Sequence, residues 1–178
     1  MLGLILKKGR QNRNDLLGRR NSMRVSARKL AFVIVVISAA AWAADDPLMG
    51  TWKLDPAKSK YSPGPPPKST MTKNLPYGKD GLHVIVDGVD AQGNPTHTEY
   101  TAQFDGKEYP VKNDPNRDTV ILKRVDAYTM EATYKKAGKV ASTSRVVVSQ
   151  DGKTRMVTTK GTNRQGQAFN NVAAHDRQ

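Results

Sequence analysis

Residues 99–111 read Glu-Tyr-Thr-Ala-Gln-Phe-Asp-Gly-Lys-Glu-Tyr-Pro-Val. Two alternating, β-rich halves flank an Asp-Gly pair, a strong hairpin signal because both central residues of a type I′ turn need positive φ. Outward from this stretch the pattern repeats. Glycine-centred turns are expected at Asp80-Gly81, Asp87-Gly88, Gln92-Gly93, Asp105-Gly106, Ala137-Gly138, Asp151-Gly152 and Gln165-Gly166. Between them run six to ten residues of β-formers. Thr98, Tyr100, Ala102 and Phe104 fall on one face, with His97, Glu99, Thr101 and Gln103 opposite. Tyr128, Met130, Ala132 and Tyr134 share a face in the same way, as do Leu82, Val84 and Val86. Alternation of this kind is a period of two, that of a half-buried strand.

The pattern predicts strands at 50–54, 69–75, 81–87, 97–104, 107–111, 119–125, 127–135, 139–149, 153–161 and 168–176. A single helical turn is expected over Asp55–Lys60, capped by Asp55 with Pro56 at the first position. In Tyr61-Ser62-Pro63-Gly64-Pro65-Pro66-Pro67 the four prolines cannot donate to a ladder, and the segment reads as a stiff extended connector. Without a helix to cover a face, some eight to ten short strands escape the edge problem most simply as a closed antiparallel up-and-down barrel. A two-sheet sandwich is the alternative. No strand shows the lipid-facing apolar row and aromatic girdles of an outer-membrane barrel.

The N-terminal quarter has another character. Residues 23–44, MRVSARKLAFVIVVISAAAWAA, combine a basic n-region (Arg24, Arg28, Lys29), an apolar run from Leu30 to Ala41 and small residues at Ala41 and Ala43. This is the layout of a signal-peptide helix cleaved after Ala43. The alternative, an uncleaved inner-membrane anchor over 30–44, suffers from a run shorter than the ~20 residues a span needs. Residues 1–22 are a basic extension, and Met23 is an alternative translation start. The expected organisation is an extension (1–22), a signal peptide (23–43) and one barrel domain (44–178) carrying the Pro-rich loop 61–67. The mature chain is then exported, periplasmic or secreted, and not stably inserted in the membrane.

Net charge is +13, but nine of the 29 Lys/Arg and one of the 16 acids lie in residues 1–43. The rest, 20 bases against 15 acids, is an ordinary solubility charge and excludes a nucleic-acid partner. There is no cysteine, so neither a disulfide nor a lipid-modified cysteine is available. The domain is long enough for one core, and a monomer is expected.

Gly50-Thr51-Trp52-Lys53-Leu54 resembles the Gly-x-Trp opening of lipocalin-like barrels. The chain is also similar to a group of small exported bacterial proteins of unassigned function. These share the GTWKL-(Asp/Asn)-x-x-K-S start and motifs like EYTAQFDGKEYPV (99–111) and SQDGKTRMVTTKGTNRQGQ (149–167). The resemblance implies a barrel with Trp52 across its floor and a late-strand arginine stacked on that ring; Arg155, Arg164 and Arg177 are the candidates. It departs from outer lipocalins in having no disulfide and no recognisable Thr-Asp-Tyr loop motif.

Candidate chemistry is sparse. His83 and His97 lie on neighbouring strands with Glu99; facing of His83 and Glu99 would bring a weak metal site within reach, and a hydrogen-bonded surface pair is the simpler reading. His175 has no assignable partner. Asp87 with Asp90, and Asp114 with Asp118, flank turns, where aspartate commonly stabilises the turn itself. No nucleophile elbow or phosphate loop occurs, so no catalytic residues, metal or cofactor are expected and the protein is read as a non-enzyme. The inward face is more telling. Trp52, Tyr100, Phe104, Tyr128, Met130 and Tyr134 would line the interior, joined by Ser142, Ser144, Met156 and Thr158 on later strands. Such an interior leaves room for a small apolar or amphipathic ligand. The alternative is an envelope-associated structural protein with a filled core.

Overall fold

The computed structural model describes residues 46–163 and 165–178. The expected extension, signal peptide and cleavage site, and Arg164, lie outside these residues. Ten strands follow one another: β1 (Gly50–Lys60), β2 (Ser69–Pro76), β3 (Gly81–Val89), β4 (Pro95–Gln103), β5 (Tyr109–Lys112), β6 (Thr119–Arg124), β7 (Thr129–Lys136), β8 (Lys139–Val148), β9 (Thr154–Thr162) and β10 (Ala168–Arg177). Each pairs antiparallel with its neighbour in sequence, and β10 returns to β1 to close the barrel. No helix occurs among the described residues.

Several local expectations are corrected. Asp55–Lys60 is not a helical turn but the second half of β1, because β10 is there to pair with it. The capping chemistry survives inside the strand as an arch. Asp55 Oδ1 accepts from the Ala57 and Lys58 amides, and the register against β10 jumps between Asp55 and Lys60. Asp87-Gly88 is not a turn either. Gly88 lies between Thr70 and Thr96, so close to the Ser69 carbonyl that a Cβ would meet it at 2.5 Å. The chain turns instead at Asp90, whose Oδ1 accepts from the Gly93 and Asn94 amides at 2.8 Å. At Asp105-Gly106 and Asp151-Gly152 only the glycine has positive φ; the two-residue turn with positive φ at both positions is Ala137-Gly138 (49° and 75°).

One end of the barrel is sealed. Leu48, Trp52, Leu82, Ala102 and Leu122 are fully buried there. Arg177, register partner of Trp52, lays its guanidinium 4.3 Å over the indole. It donates to the carbonyls of Gly152 (2.6 Å), Met49 (2.8 Å) and Pro47 (2.7 Å). Asn74 Nδ2 donates to the Leu48 carbonyl, and Arg124 grips Asp46 through both Nη atoms. Residues 46–49 are thereby strapped across the floor.

The glycine of the Gly-Thr-Trp triplet has a direct cause. Gly50 sits at φ +112°, and a Cβ would meet Arg177 Nη1 at 2.5 Å. Gly50→Ala is expected to lower stability by about 2 kcal/mol, read as a reduced urea midpoint at unchanged m-value.

Candidate functional site

Above the floor lies a cavity of about 470 Å³, open at the other end of the barrel. That is within the usual range for small-molecule sites. Its walls are mixed. Val84, Val86, Met130, Val146 and Val157 make the apolar part, and Thr70, Thr72, Ser144 and Thr159 the hydroxylic part. Tyr100 and Tyr134 cross it from β4 and β7 with their hydroxyls 3.2 Å apart and their rings nearly perpendicular. Burial, and then the neighbouring phenol of Tyr134, push the Tyr100 hydroxyl well above its ordinary pKa, so it stays a hydrogen-bond donor. At the mouth stand Tyr61 and Pro63 of the Pro-rich segment, seated on β10 by the Ser62 amide donating to Asn171 Oδ1 and the Asn170 amide donating to the Ser62 carbonyl.

Of the six residues expected to line the interior, Tyr100, Met130 and Tyr134 face the cavity. Trp52, 0% exposed, lies beneath it as the floor. Phe104 follows the end of β4 and is covered by the Arg124 guanidinium at 4.5 Å, and Tyr128 packs partly buried against the core; neither lines the cavity.

The expectation for β9 is out of phase by one residue. Met156 points outward, 41% exposed, and the inward residues are Arg155, Val157 and Thr159. Register explains this: Val148 at the inward end of β8 faces Arg155, which faces His175 on β10. An arginine at an inward position defeats a reading that places charge outside.

Arg155 is the centre of the site. It is 5% exposed, lies 4.9 Å from the Trp52 ring, and makes no hydrogen bond or ion pair with any described residue. Its Nε is sealed without a partner. Burial pulls its pKa down to about 9, which still leaves it charged at neutral pH. His175 beside it is also 5% exposed, its Nδ1 is unpartnered, and burial followed by the charge on Arg155 lowers its pKa to about 3. Asn74 Oδ1 is a third unsatisfied group at this depth. Native interiors satisfy nearly all such atoms, so three residues with an unpartnered buried atom lining one cavity are an exception to ordinary packing. The cavity's acid, Asp114, sits at the mouth and is held by Arg117 Nε (3.4 Å) and the Asn116 amide (2.8 Å).

The remaining candidates are structural. His83 faces Thr101 rather than Glu99, which lies diagonally, yet His83 Nε2 and Glu99 Oε1 are 2.6 Å apart. His97 Nδ1 is 2.6 Å from Asp87 Oδ1. No group of three or more His, Asp or Glu among the described residues could hold a metal. Asp118 binds Lys136 Nζ and the Ala137 amide, and Asp90 closes its own turn.

No protein-family model matches the sequence, and no curated protein matches it. Among solved structures, an alanine variant of the fluorescent protein UnaG is similar with a TM-score of 0.51 at 14% identity, over 74% of this chain and 96% of that one. The zebrafish ileal bile acid-binding protein complexed with cholic acid aligns with a TM-score of 0.46 at 13% identity, over 74% of this chain and 99% of that one. Identities this low speak for the fold alone. The chain is a closed ten-stranded antiparallel barrel, the fold it shares with UnaG.

The depressed His175 has a measurable effect. Between its ordinary pKa of 6.5 and about 3, the unfolded chain takes up a proton that the folded barrel refuses, so stability falls as pH falls through that window. His175→Gln is expected to remove about 3 kcal/mol of the loss between pH 6.5 and about pH 4, measured by urea unfolding at both pH values.

Proposed function

We propose that this barrel binds a small amphipathic acid, its anionic group on Arg155 at the bottom of the cavity and its apolar body running up toward the mouth. The buried, unpaired guanidinium carries the proposal. A lone charge in a closed interior is costly, and an anion supplied by a ligand would remove that cost. His175, the hydroxyl pair of Tyr100 and Tyr134, and the neutral side chains around them can share the headgroup without repelling it. The valines and Met130 above suit an alkyl or ring body. The protein acts as a carrier and performs no reaction on its cargo. The layout of residues 23–43 supports its delivery outside the cytoplasm, where the mature domain works as a monomer.

The reading is tested by isothermal calorimetry with dodecanoate, its methyl ester and dodecanol. The acid is expected to bind at least about tenfold more tightly than either neutral form. Equal affinities would overturn the headgroup assignment. Failure of all three to bind would favour a structural role for the barrel. Arg155→Met is expected to abolish the preference for the acid while raising the stability of the empty barrel by about 1–3 kcal/mol, read from the urea midpoint.

A further inference from the structure

We infer that the ligand carries a second, uncharged hydrogen-bonding group, a hydroxyl or an amide at the end remote from its acid, and that this group occupies a side chamber at the mouth. The inference rests on the carrier reading above and names the kind of acid carried. The chamber encloses about 320 Å³ and shares Arg117, Asn163 and Phe169 with the main cavity, so one molecule can reach into both.

The chamber exists because of a glycine. Along β8 the inward serines are Ser142 and Ser144. Ser144 faces Thr159 and their hydroxyls bond at 2.8 Å. Ser142 faces Gly161, which offers no side chain. A Cβ there would meet the Ala141 carbonyl at 2.4 Å, Ser142 Cβ at 2.7 Å and the Phe169 ring at 2.8 Å. Ser142 is therefore only 4% exposed, lines the chamber, and its hydroxyl has no partner among the described residues. It is a buried polar group waiting for a bond.

The rest of the lining fixes the chemistry. Arg117 is held by Asp114 at 3.4 Å and lies 4.2 Å over the Tyr134 ring, so its charge already has a carboxylate and a π face. Asn163 spends its side chain on its own loop, accepting from the Gln165 and Gln167 amides and donating to Gln167 Oε1. Among the described residues the chamber thus offers a polar wall, an aromatic face and, deepest of its groups, the buried Ser142 hydroxyl, which suits a neutral polar group. His175 and Phe169 are six residue steps apart along β10; at ~3.4 Å per step on a tilted strand this span corresponds to an acid of roughly twelve carbons.

The test compares dodecanoate with 12-hydroxydodecanoate by calorimetry on protein expressed from the full sequence. The hydroxy acid is expected to bind about fivefold more tightly, and Ser142→Ala is expected to bring the two ligands to equal affinity. Equal affinities in the native protein, with dodecanoate still bound, would overturn the second-group assignment and leave the carrier reading standing. A preference that persists in Ser142→Ala would place the hydroxyl elsewhere and overturn the chamber. If neither acid binds, the carrier reading fails and takes this inference with it.

Discussion

The stacking of Arg177 on Trp52 is the interaction on which the rest of the molecule depends. A closed sheet removes strand edges but leaves two open ends, and a cavity needs one of them shut. The indole supplies a broad apolar plate, and the guanidinium covers it while its N–H groups reach three carbonyls. Those carbonyls belong to the segment before β1 and to the β8–β9 turn, so one side chain ties the floor, the closing seam and the strap together. A lysine could keep the charge there but not the planar fork that serves three acceptors at once.

Above this floor the interior is organised on opposite terms. Core-forming barrels fill themselves with apolar side chains; this one places guanidinium, imidazole, amide and phenol groups around a space. Each is neutral or positive, and the cavity's carboxylate is kept at the mouth by Arg117. The unpartnered groups of Arg155 and His175 stand where the surrounding register is regular, so faulty strand pairing does not account for them.

Much of the fold was legible because period-two alternation and glycine turns are local signals. All ten strands follow from these signals, and the departures concentrate where tertiary pairing overrides local chemistry. Asp55 reads as a helix cap because its side chain does bond the following amides, but β10 makes the segment a strand. Gly88 reads as a turn because the pattern does not distinguish a glycine that bends the chain from one that lets a neighbouring strand approach. The site was half legible. The aromatic and methionine lining on β4 and β7 follows from alternation, while the place of Arg155 and His175 in the cavity wall does not, because their polarity argues for the outside. The clue lay in the β8–β9 hairpin: once Val148 is inward, the short turn makes its partner inward too, whatever its charge. Arg155 and Arg177 had both been candidates for the tryptophan stack, and both approach the ring.

The seam between β1 and β10 has a consequence for how the chain folds. It joins the two strands farthest apart in sequence, whereas every other pairing is between consecutive strands. Hairpins can therefore assemble locally and early, and the long-range step comes last and sets the rate. Until it happens, the meander carries two unpaired edges and the Trp52 plate lies uncovered. Arg177 can clasp the Met49 and Pro47 carbonyls only after the seam has closed, so the same contact that shuts the floor also latches the finished barrel against reopening.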